Sequence, residues 1–207
     1  MANYVHDGDM PAELDFGASV AIASETMGLQ THRDRLCVVQ LSAGDGDAHL
    51  VKLARTAGGA IAAPNLKRLL EDPGVEKILH FARFDVAAFL HWLGAATRPV
   101  YCTKIASKLA RTYTDRHGLK DLARELLGVE MSKQQQSSDW GADVLTDAQI
   151  DYAASDVLYL HQMREKLDEM LAREGRRALA QACFDFLPAR AALDVAGWPE
   201  IDIFAHS

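Results

Sequence analysis

Hydrophobic positions in the first quarter of the chain come in short runs. Ser19 to Ala23 is mostly apolar and is followed by the turn Met27-Gly28-Leu29; Arg35 to Leu41 is rich in Val and Leu; Ala48 to Leu53 is a third run. Runs of this length, bounded by turn residues, read as buried strands. Asp45-Gly46, inside Gly44-Asp45-Gly46-Asp47, is a hairpin signal between the second run and the third, so the three strands are expected to form an antiparallel meander. Met1 to Phe16 is polar and is expected to form a peripheral strand or turn with a short helical piece.

The period then changes. Pro64 to Glu71 places Leu66, Leu69 and Leu70 on one side of a short helix, Lys77 to His80 is a brief strand, and Phe84 to Leu93 is helical. Val100 to Cys102 can be a last strand, Thr103 is expected to cap a helix through Thr112, and Leu119 to Leu127 is a helix stopped by Gly128. Lys133 to Trp140 is a polar loop with Trp140 as its packing anchor. A long amphipathic helix follows from Thr146 to Lys166, and another from Gly175 to Leu187. Strands first, then strands alternating with helices, predict an α/β fold with a mixed sheet covered by helices. From Ala191 the tail carries Leu193, Val195, Trp198, Ile201, Ile203 and Phe204, which either pack back on the domain or meet another subunit. With no internal repeat and no linker, the 207 residues read as one domain with a helical, apolar tail from about residue 175.

Composition narrows the classes. There is no apolar run of transmembrane length, and no basic start followed by a long apolar stretch, so a soluble cytoplasmic protein is expected. Cys37, Cys102 and Cys183 are odd in number, far apart and set among apolar residues, the pattern of reduced core thiols. A net charge of -7 argues against a broad basic surface that tracks long nucleic acid. It leaves open an acidic cluster that holds a divalent cation and acts on a very short substrate.

Three distant carboxylates fit that description. Tyr152 and Asp156, four apart on one helix, leave the same face. An isolated Tyr-x-x-x-Asp is usually a core tyrosine beside a solvated charge. Glu25 at a strand end and Asp85 at a helix start change this, because strand ends and helix starts of an α/β sheet line one crevice. Together without a counter-charge the acids would raise one another's pKa. Mg²⁺ or Mn²⁺ removes that penalty and suits phosphodiester hydrolysis.

The set Glu25 in Ser-Glu-Thr-Met-Gly-Leu, Asp85 in His-Phe-Ala-Arg-Phe-Asp, and Tyr152 with Asp156 in Asp-Tyr-Ala-Ala-Ser-Asp-Val resembles the DEDDy 3′-5′ exonucleases of the ribonuclease D type. The resemblance covers about residues 18 to 170, and the segments from Cys102, from Gly118 and from Lys133 to Trp140 agree with it. Each motif is weak singly; their order and spacing together are specific. The short chain and the phrase Arg111-Thr-Tyr-Thr-Asp-Arg-His-Gly118 resemble most the nanoRNase C branch, which degrades dinucleotides.

The resemblance implies a ribonuclease H-like α/β domain and a two-metal site of Mg²⁺ or Mn²⁺. In it Glu25 and Asp156 ligate the ion that carries the attacking water, Asp85 supports the second ion, and Tyr152 orients that water and helps to deprotonate it. Thr26, Met27, Gly28, Leu29, His80, Gln135, Gln136 and Ser138 are the expected substrate contacts. Gly28 suits a close backbone approach to a sugar, Leu29 is an apolar wedge between bases or else a core residue, and His80 is a phosphate or ribose contact or else a core histidine. Lys133, Gln135, Gln136 and Ser138 are candidates for the 5′ phosphate. The implied partners are short RNA, 5′-phosphorylated dinucleotides above all, and further copies of the chain in a symmetric homo-oligomer such as an octamer. One position departs from the pattern. The family's Asp-x-Glu reads Ala23-Ser24-Glu25 here, and a methyl group cannot ligate a cation, so hydrolysis is expected to be crippled. A substitution made to trap substrate and a natural loss of activity both give this pattern, and the intact remainder favours the first. Ribonuclease D-like processing of longer RNA or single-stranded DNA, and nucleotide binding without turnover, are the rival readings.

Overall fold

The computed structural model describes residues 2–55, 59–132 and 134–206. Its strands are β1 (Asn3–Asp7), β2 (Ser19–Thr26), β3 (Leu36–Ser42), β4 (Ala48–Lys52), β5 (Glu76–Leu79) and β6 (Val100–Cys102). They form one sheet in the order β1-β4-β3-β2-β5-β6. As the hairpin signal requires, β2, β3 and β4 pair antiparallel. β1 adds parallel to the outer edge of β4, while β5 and then β6 extend the sheet in parallel from β2. Every residue of β3 is buried, as a strand with neighbours on both edges and helices on its faces must be. Truncating a core side chain such as Leu41 or Ile22, both fully buried, costs about 2–5 kcal/mol.

The helices are α1 (Pro64–Glu71), α2 (Ala82–Leu93), α3 (Thr103–Ala110), α4 (Leu119–Leu122), α5 (Asp147–Leu158), α6 (Leu160–Arg173) and α7 (Arg177–Val195). α1 begins with Pro at its first turn, but Ala63 at its N-cap has no side-chain acceptor. Asp9 supplies one from a distance, its carboxylate accepting from the backbone N–H of Asn65 (2.7 Å) and Leu66 (3.0 Å). The residues after β1 therefore form turns around this cap with Met10 and Phe16 buried, and the short helical piece expected before Phe16 is absent.

Four helix expectations are corrected. The segment Thr146 to Lys166 is two helices, broken at Tyr159, whose N–H turns to the carbonyl of Val157. Ser155 donates to the carbonyl of Tyr152 (2.7 Å) just upstream, a side-chain bond that bends helices. The apolar stripe Val157, Leu160, Met163, Leu167 and Leu171 runs straight across the break, so hydrophobic spacing does not reveal it. Thr103 is not a cap: it lies inside α3 and its hydroxyl reaches the Leu79 carbonyl (3.2 Å), while Cys102 holds the cap position and the helix ends at Ala110. The stretch from Leu119 stays α-helical only to Leu122. It widens into a π-helical turn, Ala123–Leu127, where Glu125 pairs with the fully buried Arg111, and stops at Gly128 with φ 70°. α7 runs past Pro188 to Val195 and so absorbs Leu193 and Val195 from the expected tail.

α7 packs on α2, and an ion-pair clasp ties them. Arg83 of α2 donates to both carboxylate oxygens of Asp194 (2.7 and 2.8 Å), and Arg190 bonds Asp194 and the carbonyl of Trp198. Thus the backbone after α7 is held against the domain, yet Trp198, Ile201, Ile203 and Phe204 remain exposed. Cys37 and Cys102 are buried and all three cysteines are free. Among the described residues no helix is long and apolar enough to cross a membrane.

α5 starts with a capping box: Thr146 accepts from the Gln149 N–H (3.3 Å) and Gln149 accepts from the Thr146 N–H (2.9 Å). Thr146→Ala is expected to lower the unfolding free energy by about 1 kcal/mol, read from the denaturant midpoint at unchanged slope.

Candidate active site

β2 carries the first carboxylate to the middle of the sheet. Ala23 and Glu25 share one face of this strand, and Ala23 lies directly opposite Gln40 of β3. A register shift between Glu25 and Thr26 ends the regular pairing just before the turn at Met27. Behind this strand, β5 feeds α2 through Phe81, a non-glycine residue at φ 66°, and Asp85 falls in the first turn of the helix. The single exchange of a carboxylate into that turn is favoured by the helix dipole. α5 crosses the other side and delivers Tyr152 and Asp156 from one face.

These side chains meet at a cavity of about 500 Å³. Ser24, Glu25, Tyr152 and Asp156 line it together with the turn from Thr26 to Leu29, Phe84, the loop Gln136 to Ser138, and Trp140. Asp85 sits just beneath, 6% exposed, accepting from the Ser24 hydroxyl at 2.6 Å. The Tyr152 ring leans on the buried Trp140 ring at 6.0 Å between centroids.

Electrostatics join the acids into one unit. Glu25 is pushed up to about 9, first by burial and then by Asp156 and Asp85, with the Gln40 amide (3.5 Å) opposing weakly. Asp85 rises to about 7 through burial, resisted by the Ser24 hydrogen bond and raised further by Asp156. Asp156 also rises to about 7, through burial, with Lys120 pulling the other way. Burial, Asp156 and Glu25 hold the Tyr152 phenol above the usual tyrosine range. Buried carboxylates gathered in a partly closed site are a donor set of hard oxygens, which suits a divalent cation. Ala23 contributes no donor, Asp85 is turned to Ser24, and among the described residues no three His, Cys, Asp or Glu side chains converge into a finished metal cage.

The expected substrate contacts divide. Thr26, Met27, Gly28, Leu29, Gln136 and Ser138 line the cavity, and Leu29 is 85% exposed, so it is not a core residue. The close approach at Gly28 is made by the Asp34 carboxylate, which would collide with any Cβ there. Gln135 and His80 do not line it. His80 bonds Thr103 through Nδ1 (2.9 Å), and burial, with Lys104 nearby, pushes its imidazole down to about 3, the behaviour of a satisfied core histidine. Lys133 lies outside the described residues. Four contributors escaped the sequence reading: Ser24 at Asp85, the fully buried Gln40 at Glu25, and Phe84 and Ser137 in the lining. Ser24 lies within the recognised motif, whereas Gln40 sits in a run that reads as plain core.

The fold and this cavity define a class: the chain belongs to the 3′-5′ exonuclease family, whose profile it matches over residues 9–172. Among particular relatives, it is 36% identical over 159 residues to ribonuclease D of Granulibacter bethesdensis, an alignment that takes in 77% of this chain and 39% of that one. It thus spans about two fifths of the ribonuclease D relative's length. Structures of Brucella melitensis NrnC superpose with a TM-score of 0.94 over all of both chains, at 55% identity, at 53% for the form with bound Mg²⁺ and at 54% for the form bound to pGG. Escherichia coli RNase D superposes with a TM-score of 0.73 at 27% identity, over 84% of this chain and 45% of that one.

The raised carboxylates have a consequence for stability. A group whose folded pKa exceeds its unfolded value contributes stability below the unfolded pKa, and loses it as pH rises through the folded one. In chelator, Tm is therefore expected to fall between about pH 5 and pH 9, the span set by Asp85, Asp156 and Glu25, and Glu25→Gln should flatten the upper part of that fall. A Tm that climbs over this range in thermal melts would contradict the clustering.

Proposed function

We propose that the chain is a metal-dependent 3′-5′ exoribonuclease for very short RNA, 5′-phosphorylated dinucleotides above all, whose turnover is crippled by Ala23. The observation that carries this is the cavity lined by Glu25, Asp156 and Tyr152, with Asp85 hydrogen-bonded to the lining residue Ser24 and Ala23 on the same strand face as Glu25. The reading is supported by the likeness, over the whole of both chains, to a protein solved with Mg²⁺ and with pGG.

Glu25, Asp156 and Asp85 would hold Mg²⁺ or Mn²⁺ through oxygen. Bound there, the cation supplies charge neutralisation at a phosphoryl oxygen and a lower pKa for a coordinated water. The protein's part is largely placement. Ser24 fixes Asp85, and Gln40 steadies Glu25. Tyr152, on the cavity wall with Asp156, orients the attacking water by hydrogen bonding and helps to deprotonate it. Attack in line on phosphorus then releases a 5′-nucleotide from the 3′ end. Leu29, exposed at the cavity edge, slides between two bases, and Gln136 with Ser138 receives the 5′ phosphate. Assembly as a homo-oligomer in the cytoplasm belongs to the same reading, with the outward apolar residues after α7 available for contact.

A second reading, nucleotide binding without turnover, is favoured by Ala23 alone. Ala23→Asp with Mg²⁺ is expected to hydrolyse a 5′-phosphorylated diribonucleotide faster than a ten-mer; equal or greater rates on the ten-mer move the assignment to a ribonuclease D-like processing enzyme. The unaltered chain is expected to bind the dinucleotide in calorimetry while cleaving it at least ~100-fold more slowly, the usual scale for loss of one transition-state contact. Adding Tyr152→Phe to the Ala23→Asp chain is expected to lower kcat by about 10²–10⁴ with little change in KM.

A further inference from the structure

The loop from Met27 to Arg35 joins β2 to β3 and brings Leu29, 85% exposed, to the cavity. A leucine so exposed on a free loop would fold back onto nearby apolar surface. Here the loop is pinned. Asp34, only 7% exposed, turns its carboxylate into the loop: Oδ2 accepts from the Gln30 N–H (2.9 Å), and the two oxygens accept from the guanidinium of the exposed Arg33 (2.7 and 3.0 Å). The Gln30 carbonyl accepts in return from the Asp34 N–H (2.7 Å). The same carboxylate fills the space beside Gly28, where any Cβ would overlap it. Gly28 is not in the left-handed region, so it is space and not backbone freedom that calls for glycine there. Asp34 thus holds the residues on both sides of Leu29. The Met27 N–H closes the base of the loop on the Arg35 carbonyl (2.9 Å), the Thr26 hydroxyl donates to the Gly28 carbonyl, and the Trp92 indole of α2 donates to the Thr31 carbonyl (3.0 Å).

We propose that Asp34 is a positioning residue for the substrate: packed against Gly28 and bonded to Gln30, it locks the loop so that Leu29 stands ready to enter between two bases. The proposal rests on the functional reading above, which gives Leu29 that place. Ordering a loop costs conformational entropy. With the lock in place that cost falls on folding, and little of it is left to be met when a dinucleotide arrives. Asp34 itself touches no substrate and acts through Leu29. Its contribution therefore exists only while Leu29 is present, and only for ligands that offer two bases.

The test is calorimetry on the full chain, with Ca²⁺ in place of Mg²⁺ to prevent cleavage, using a 5′-phosphorylated diribonucleotide and a 5′-mononucleotide. Asp34→Ala and Gly28→Ala break the lock from opposite sides. Each is expected to weaken the dinucleotide about tenfold, and the mononucleotide, which has no base step to receive Leu29, by less than about twofold. Asp34→Asn, which keeps an oxygen for the Gln30 N–H, should recover most of the loss. In a Leu29→Ala chain the dinucleotide is already weakened, and adding Asp34→Ala should cost less than about a further twofold. Thermal melts establish that each variant is folded; if Asp34→Ala is not, Gly28→Ala, which leaves Asp34 in place, decides. Unchanged dinucleotide affinity in a folded variant overturns the proposal and leaves the functional reading standing, since the unaltered chain still binds. Equal losses with and without Leu29, or equal losses for both ligands, mean that Asp34 merely holds the fold together and overturn it as well. If the unaltered chain binds no dinucleotide, the functional reading fails and the proposal falls with it.

Discussion

Burial of carboxylates in a partly closed space, to which repulsion from Asp156 and Asp85 is added at Glu25, is the constraint on which the rest of the architecture depends. Glu25, Asp85 and Asp156 come from three elements far apart in the chain, and each is displaced toward its neutral form by its burial. Only Asp156 is relieved by a cation of the protein itself, Lys120. A fold that assembles such a group must spend packing energy to hold it, and the fully buried β3 and the helices over it provide that energy. The same tension makes the cavity receptive to a hard cation and to the phosphate oxygens that accompany one.

The sheet turns that tension into geometry. β2 lies between an antiparallel neighbour and a parallel one, so its side chains at 23 and 25 are fixed in height and direction. α2 enters behind a residue in the left-handed region, and α5 begins with a reciprocal cap, so both helices start at defined points. Neighbouring polar groups then trim the arrangement. The Ser24 hydroxyl sets Asp85, the Gln40 amide leans toward Glu25, and Thr103 occupies His80. The placement of these four candidate side chains thus depends on a larger set of ordinary ones.

Much of this was legible in the sequence, and the reasons are local. Tyr152 and Asp156 announce a shared face by their spacing, the strand runs end in turn residues, and Asp45-Gly46 marks its hairpin. Pro64 to Glu71 and Val100 to Cys102 are found at the boundaries their patterns give. What stayed hidden depends on contacts distant in sequence. Asp9 caps a helix more than fifty residues away, which no window over residues 1–16 can reveal. Gln40 reads as a polar interruption in a core strand until its neighbour across the sheet is known. The break at Tyr159 leaves the apolar stripe intact, so periodicity passes over it. His80 reads either as a phosphate or ribose contact or as a core histidine, and its bond to Thr103 across the fold is a partner that no sequence window shows.

The clasp between Arg83 and Asp194 changes how the end of α7 should be regarded. One residue, Phe84, separates Arg83 from Asp85 on the same helical turn, so the segment after α7 is mechanically in series with the acid buried beneath the cavity. A binding partner that pulls on the exposed aromatic residues there would exert its leverage, through this clasp, on the helix that carries Asp85.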